Sequence, residues 1–297
     1  MDDDRASYTA VLICQARAAA HGRIATQRFC DPVAMALLTE QESAVVRRVR
    51  DENAPEAAAR MDYERVRGGS VVIVPRTVAI DDAVRAAAAP QLVVVGAGLD
   101  TRAWRMPELS TVDVFEVDHP ATQQDKRARL GDRRPLARSV RFVPVDFTRD
   151  ELGPALEQAG HRADRPTMWL WEGVVVYLRR AEVATTLAAM AQRSAAGSRL
   201  VVNYQAPSAR AFAGRLLVRA LHRVMGEPSS WAREPWRSTW TPGRMARLLA
   251  RHGFAVERDA DLYEIAEQLP MPISDRGSLH SGRIVVAGRR PGPPGVE

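Results

Sequence analysis

The sequence is poor in cysteine, in lysine and in long apolar runs. Two cysteines, Cys14 and Cys30, are too few for a disulfide framework, and they lack the C-x-x-C spacing of redox or zinc sites. No apolar run approaches the roughly 20 residues that cross a bilayer, and the acidic start MDDDRASYTA lacks the basic and apolar regions of a signal peptide. We therefore expect a cytoplasmic protein without membrane contact, disulfides or a metal.

Lysine is represented by Lys126 alone, whereas arginine is spread along the whole chain and gives a net charge of +6. Runs such as RRVR at 47–50 alternate with apolar residues at helical spacing, which is typical of solvated helix faces. A nucleic-acid surface usually gathers its charge in one stripe, which is not visible in the sequence. An RNA-binding function stays an alternative, because Trp231, Trp236 and Trp240 lie among arginines and could stack on bases.

Short apolar runs and helical stretches alternate from residue 91 onward. The runs QLVVVGAG, TVDVFEVD, SVRFVPVDF, TMWLWEG and SRLVVNYQ follow one another at the spacing of βα units. Continuous apolar runs of this kind predict strands that are buried on both faces. The pattern therefore indicates an α/β fold with a mostly parallel, doubly wound sheet, and RIVVAGRR predicts one further strand near the end.

Three regions are expected from this pattern. Helical signals dominate 1–75, which we interpret as a helical extension, and the main domain covers 76–290. The tail 291–297 is rich in proline and glycine, which predicts disorder. Within the main domain, 208–240 interrupts the βα pattern after the fifth strand, and we interpret it as a helical cap, or lid, over a substrate pocket.

Candidate ligand residues follow three successive predicted strands. Gly96 and Gly98 occupy the turn after the first strand, where a missing Cβ lets the backbone approach a ligand closely. Asp118 ends the second strand, 20 residues after Gly98, in a position suited to the hydroxyls of a ribose. Asp146 and Phe147 end the third strand and would contact the edge and the face of an adenine. Together they describe an adenosine site.

Thr101 stands where a dinucleotide fingerprint would have its third glycine. This substitution speaks against a pyrophosphate cradle, and an adenosine site without one fits S-adenosylmethionine (SAM). Alternatives remain for the single residues: the glycines could form an ordinary tight turn, and each acid could cap the helix that follows its strand.

Several stretches, in order and spacing, closely resemble the leucine carboxyl methyltransferase-like family of class I SAM-dependent methyltransferases. They are GAGLDTRAWRM, FEVDHPATQQDK, FVPVDF and WEGVVVYL, with TAVLICQARAAAH, FCDPVAMALL and VPRTVAIDD, so the resemblance covers roughly residues 8 to 205. It implies a Rossmann-like sheet that ends in an antiparallel strand. It also implies SAM as cofactor, S-adenosylhomocysteine as product and no metal.

The family methylates carboxylates of protein C-termini or polyketides, and one branch modifies tRNA. For this chain the resemblance implies O-methylation of a carboxylate or hydroxyl on a small-molecule natural product, as in secondary metabolism, or on a peptide. The alternatives are N- or C-methylation of a small aromatic metabolite, and an RNA methyltransferase or RNA-binding protein. The implied partner is this small-molecule or peptide acceptor, not a nucleic acid.

Carried over residue by residue, the resemblance assigns Arg76 to the carboxylate of the cofactor, unless Arg76 pairs with Asp81 or Asp82 at the surface. Glu172 would line the catalytic pocket, unless it caps the turn at Gly173. The implied cofactor contacts are Arg76, Gly96, Ala97, Gly98, Asp118, Asp146, Phe147 and Glu172.

Glu172, Tyr177 and His280 are the candidate catalytic residues. A carboxylate acceptor has a pKa of about 4 and needs no general base at neutral pH, whereas a phenol or an amine acceptor can require one. His280 is a candidate base because an antiparallel last strand would begin at the edge that holds the cofactor, although a lone histidine in a polar loop is often merely solvated. For Arg102 and Arg105 we expect structural ion pairs.

Overall fold

The computed structural model describes residues 7–147, 149–207, 236–273 and 276–290. The tail at 291–297 and most of the expected lid, including Trp231, lie outside the described residues. The described strands form a seven-stranded sheet in the order β3-β2-β1-β4-β5-β7-β6. The strands are β1 Gln91–Val95, β2 Asp113–Asp118, β3 Ser139–Pro144, β4 Thr167–Trp171, β5 Arg199–Gln205, β6 Phe254–Asp261 and β7 Gly282–Arg289.

All five predicted βα strands are present, and they pair in parallel. RIVVAGRR forms most of β7, which runs antiparallel to both β5 and β6. The expected α/β fold with an antiparallel last strand is therefore confirmed. Strand order reverses between β1 and β4, and this reversal opens a crevice at the carboxyl ends of the strands.

Helices cover both faces of this sheet, and among the described residues none is long and apolar enough to cross a membrane. Short 3₁₀ turns lie at Ala34–Leu37, Pro107–Thr111 and Val175–Tyr177. The α-helices are α1 Tyr8–Ala20, α2 Glu40–Arg50, α3 Ala57–Ala87, α4 Arg102–Arg105, α5 Pro120–Leu130, α6 Leu152–Gln158, α7 Arg180–Gln192, α8 Pro242–Arg251, α9 Leu262–Glu267 and α10 Arg276–Ser281.

Two hydrophobic clusters lie on opposite faces of the sheet because successive strand residues point to opposite sides. In β1, Leu92 and Val94 belong to one cluster and Val93 and Val95 to the other. The first cluster includes residues of α1 and α3, so the N-terminal helices supply one of the layers that cover the sheet.

The expected boundary between 1–75 and 76–290 falls inside α3. This helix runs from Ala57 to Ala87 and contains Pro75 without a break in its assigned span. Ile73 and Val78, on either side of that boundary, are both buried in the cluster that also holds Leu92 of β1. The N-terminal helices and the sheet therefore share one core.

His161 allows a test of the packing on the second face. Its imidazole is 3% exposed, lies 5.5 Å from the Phe115 ring and 5.4 Å from the Trp169 ring, and contacts Thr167 Oγ1 at 3.0 Å through Nε2. Burial, helped by the nearby charge of Arg193, lowers the pKa of His161 to about 4. The fold therefore favours the neutral imidazole.

We expect His161 to lower the free energy of unfolding as the pH drops from 7 to 5, because this imidazole takes up a proton near pH 6.5 in the unfolded chain but not in the folded chain. A pKa that falls from about 6.5 to about 4 predicts a loss of about 2 kcal/mol over this range. Urea denaturation of the wild type and of His161→Asn at both pH values measures it. An equally steep pH dependence in the variant would contradict the prediction.

Candidate active site

A cavity of about 440 Å³ lies at the carboxyl ends of β1, β2 and β4, at the reversal of strand order. This volume is in the range of small-molecule sites. The wall brings together most of the residues expected from the sequence. These are Arg76, Gly96, Ala97, Gly98, Asp118, Phe147, Glu172 and Tyr177.

The glycine turn after β1 is required by backbone conformation and by close packing. Gly96 has φ of +72° and Gly98 has φ of +48°, both in the left-handed region that favours glycine. A Cβ on Gly96 would collide with the side chain of Val174, and a Cβ on Gly98 would lie 3.1 Å from Cβ of Ala10 in α1. The turn therefore borders the cavity and also lets α1 approach the sheet.

Asp118 ends β2 and faces the same cavity. Its carboxylate accepts the backbone N–H of Gly98 at 2.5 Å and that of His119 at 2.7 Å. Burial raises the pKa of the Asp118 carboxyl, while these two N–H groups oppose the shift. The N-cap of α5 is His119, so the alternative in which Asp118 merely caps this helix is wrong.

Eight charges with side chains at most 12% exposed form a cluster in and behind the cavity wall, which we call the charge cluster. Arg102, 2% exposed, is its centre: it donates to Asp81 at 2.8 Å and to Glu172 at 2.9 Å and also pairs with Asp100. The charge cluster consists of Arg17, Arg76, Arg102 and Arg105 with Asp31, Asp81, Asp100 and Glu172. Four guanidinium groups thus balance four carboxylates, as buried charges require.

Thr101, where a dinucleotide site would have glycine, belongs to this network. Its hydroxyl donates to Asp31 at 2.7 Å and accepts from Arg105 Nε at 3.1 Å. Asp31 in turn pairs with Arg17 of α1 at 2.9 Å. The threonine therefore ties the loop after the glycine turn to the N-terminal helices. The expected structural ion pairs of Arg102 and Arg105 are present.

Glu172 follows β4 and forms ion pairs with two arginines, one at each carboxylate oxygen. Arg76 Nε lies 2.8 Å from Oε1, and Arg102 Nη1 lies 2.9 Å from Oε2. Burial opposes the charged form, but Arg102 and Arg76 outweigh it and hold the pKa of Glu172 below its ordinary value. Gly173 N–H bonds to Asn203 at 3.3 Å, so the alternative in which Glu172 caps that turn is wrong.

Arg76 reaches the cavity from the middle of α3. Its side chain is 12% exposed and is fixed through Nε to Glu172, whereas Asp81 pairs with Arg102 and Arg105. The alternative of an ion pair from Arg76 to Asp81 or Asp82 is therefore wrong. Among the described residues, neither terminal nitrogen of Arg76 forms a hydrogen bond, and the residue lines the cavity. Two donors of a planar fork are thus available to an anion there.

Asp146 and His280 do not line the cavity. The Asp146 carboxylate lies 3.5 Å from Arg149, although the neighbouring Phe147 does reach the wall. His280 belongs to α10, contacts Asp261 at 3.2 Å and stacks on Tyr263 at a ring distance of 4.2 Å. The structure thus separates His280 from Glu172 and Tyr177.

Other wall residues were missed in the sequence, and five of them belong to α1 or its N-cap. Tyr177 approaches this helix closely, with 3.4 Å between its hydroxyl and that of Thr9. The missed residues are Ser7, Thr9, Ala10, Ile13, Arg17, Val94, Leu99, Asp100, Thr122, Gly173, Val174 and Arg237. The match of TAVLICQARAAAH to the family was the available signal, because it extended the resemblance into α1.

The described end of the expected lid, 236–240, belongs to neither a helix nor a strand. Backbone N–H groups of Arg237 and Trp240 donate to Val176 at 2.8 Å and to Gln205 at 2.9 Å. Arg237 lines the cavity, whereas Trp240 is 6% exposed and packs in the second hydrophobic cluster. Trp240 is thus a packing residue. The lid itself stays a prediction.

Sheet order, antiparallel β7 and the placement of the cavity define the class I methyltransferase fold. A DUF574 family protein from Streptomyces avermitilis superposes with a TM-score of 0.56 and 12% identity over 96% of this chain and 98% of that chain. An inferred methyltransferase from Thermobifida fusca gives a TM-score of 0.53 and 17% identity over 86% and 92% of the two chains. These likenesses concern the fold.

The chain belongs to the leucine carboxyl methyltransferase family, whose model matches residues 10–191. A Streptomyces coelicolor relative is 39% identical over 131 residues, 43% of this chain and 46% of that protein. A Frankia alni relative is 38% identical over 176 residues, 58% of this chain and 59% of that protein. The names of both relatives describe them as S-adenosyl-L-methionine-dependent methyltransferases, an activity assigned to them by inference. The chain spans about half the length of the curated relatives it matches. The resemblance is confirmed.

Proposed function

We propose that this chain is a SAM-dependent methyltransferase that methylates a carboxylate, or a hydroxyl, of a small-molecule natural product or peptide. The observation that carries the proposal is the joint placement of Arg76, the glycine turn and Asp118 around one cavity at the carboxyl edge of the sheet. Membership of the leucine carboxyl methyltransferase family and the names of the relatives support the same activity.

The residues present fit this cofactor. The free donors of Arg76 suit its carboxylate, and each carboxylate oxygen of Asp118 has a second lone pair for a ribose hydroxyl. Phe147, which is 39% exposed and lines the cavity, offers an apolar face for adenine. Bound SAM supplies an electrophilic methyl group to a nucleophile held in line with it.

The protein then has to bind and orient the cofactor and the acceptor and to exclude water from the site. A carboxylate acceptor arrives ionised and brings no proton to remove. Arg237 lines the cavity and forms no ion pair with a described residue, so it is suited to attract such an anion. Tyr177 stands in the same wall, where its hydroxyl can contact the acceptor. The charge cluster keeps Arg76 and Glu172 in fixed positions, which lowers the cost of organising the site.

We expect Asp118→Ala to weaken SAM binding by about tenfold or more, because a charge-assisted hydrogen bond contributes roughly 1.5 to 3 kcal/mol. Isothermal titration with SAM measures the effect. Asp113→Ala is the matched control, since Asp113 starts the same strand at the opposite edge and pairs there with Arg138.

The control should bind SAM like the wild type. An unchanged affinity in folded Asp118→Ala would remove Asp118 from the site. The acceptor class is tested separately, by a methyl-transfer screen against carboxylic acids, phenols and amines. Transfer to amines alone would overturn the carboxylate proposal and leave the cofactor site standing.

A further inference from the structure

Four arginines that are scattered in the sequence meet in one groove of about 410 Å³ between α7 and α8. Arg180 begins α7, whereas Arg244, Arg247 and Arg251 lie on α8 at spacings of three and four residues. Residues at this spacing share one face of a helix. We call it the arginine groove, and the rest of its lining is Ala181, Ala184, Trp240 and Leu248.

The arginine groove carries positive charge that no residue in the described part of the chain balances. Within the described ranges, its lining includes no acidic residue, and none of its four arginines forms an ion pair. Arg180 donates to the Thr239 carbonyl at 3.4 Å and lies over the Trp240 ring at 5.4 Å. The charge cluster is the opposite case, because each arginine there has a carboxylate partner. Four like charges around one groove repel one another, and an anion would relieve this repulsion.

The geometry favours phosphate groups over nucleobases. Each guanidinium presents a planar fork that matches two oxygens of a phosphate. At 1.5 Å of rise per residue, Arg244 and Arg251 lie roughly 10 Å apart along α8, which leaves room for two or three linked phosphates. Trp240 is 6% exposed, so its ring offers no platform for stacking a base. The groove can therefore recognise charge and shape without reading bases.

We propose that the arginine groove is a second binding site, which takes a short chain of linked phosphates on a small molecule. The site is distinct from the methyltransferase cavity and does not depend on the function proposed above. It lies close to that cavity along the chain. Tyr177 lines the cavity and Arg180, three positions later, lines the groove; in the same way, Arg237 lines the cavity and Trp240 lines the groove.

Inorganic tripolyphosphate is the probe, titrated into the full chain by calorimetry at low and at physiological salt. The wild type is expected to bind one equivalent, more weakly at the higher salt. Arg244→Glu with Arg247→Glu should weaken binding by about tenfold or more, because hydrogen bonds to charged groups are lost and repulsion is added. Arg244→Gln with Arg247→Gln should cause a smaller loss.

Arg134→Glu with Arg165→Glu is the matched control, since both side chains are exposed, lie outside the groove and change the net charge equally. It should bind tripolyphosphate like the wild type, and all variants should keep wild-type affinity for S-adenosylhomocysteine and wild-type thermal melts. The proposal is overturned by a wild type that binds no tripolyphosphate at millimolar concentration, or by an equal loss in the control. Binding of a mixed-sequence RNA tenfold tighter than tripolyphosphate would overturn it in favour of a nucleic-acid surface.

Discussion

Arg76→Ala is expected to weaken SAM binding by roughly 100-fold, the largest effect among the single substitutions of the cofactor site. A buried guanidinium that binds a carboxylate through two charge-assisted bonds contributes roughly 3 kcal/mol or more. Arg76 is held ready for this by Glu172, with its terminal nitrogens toward the cavity. Calorimetric titration with SAM measures the loss.

Two further variants separate binding from folding. Arg76→Lys keeps the charge but has no fork, so it cannot bond Glu172 and also present two donors to a carboxylate; we expect an intermediate affinity. Arg85→Ala lies on the same helix and removes an exposed ion pair with Glu108, and it should bind SAM normally. Wild-type affinity in a folded Arg76→Ala protein would refute the role of Arg76.

The fold was predictable because its signals are local. Each parallel strand is an apolar run that must be buried on both faces, and the carboxyl ends of such strands meet at one edge. Asp118 and Glu172 could therefore be placed in the site from their positions at strand ends. His280 could not, since its distance from the cavity depends on the packing of α10 against Tyr263 and Asp261.

Contacts between distant segments were not predictable. Arg76 and Glu172 are 96 residues apart in the chain, and the sequence offered Asp81 and Asp82 as nearer partners for Arg76. No local sequence pattern shows that Asp81 pairs with Arg102 instead of Arg76. Likewise, Arg244, Arg247 and Arg251 predict a charged helix face, but the arginine groove exists only because the fold brings Arg180 beside them.

Glu172→Ala is expected to cost nearly as much in SAM affinity as Arg76→Ala, although Glu172 acts through its neighbour. Removing the carboxylate leaves Arg102 with Asp81 and Asp100, but it leaves Arg76 without its described partner. A freed arginine side chain must then be ordered at the moment of binding, which costs free energy. We therefore propose that Glu172 is a positioning residue for Arg76.

Glu172→Gln tests this role because it keeps the shape of the side chain. The amide oxygen of the glutamine can still accept from one of the two guanidinium groups. The amide N–H₂ would face the donors of the second guanidinium group. We therefore expect an affinity for SAM between those of the wild type and Glu172→Ala. The order wild type, Gln, Ala is also expected for methyl transfer to an acceptor found by screening.

A double-mutant cycle decides whether the two residues act together. If Glu172 works by holding Arg76, the variant with both residues changed to alanine should bind SAM about as weakly as Arg76→Ala alone, because the second change removes nothing further. Thermal melts of all four proteins separate this coupling from a loss of folding. Additive losses in folded proteins would mean that Glu172 contacts the cofactor independently.

The pH dependence of turnover distinguishes a positioning role of Glu172 from a role as general base. The pKa of Glu172 is already held below its ordinary value, so an acid limb near neutral pH that disappears in Glu172→Gln would contradict the positioning role and identify a general base.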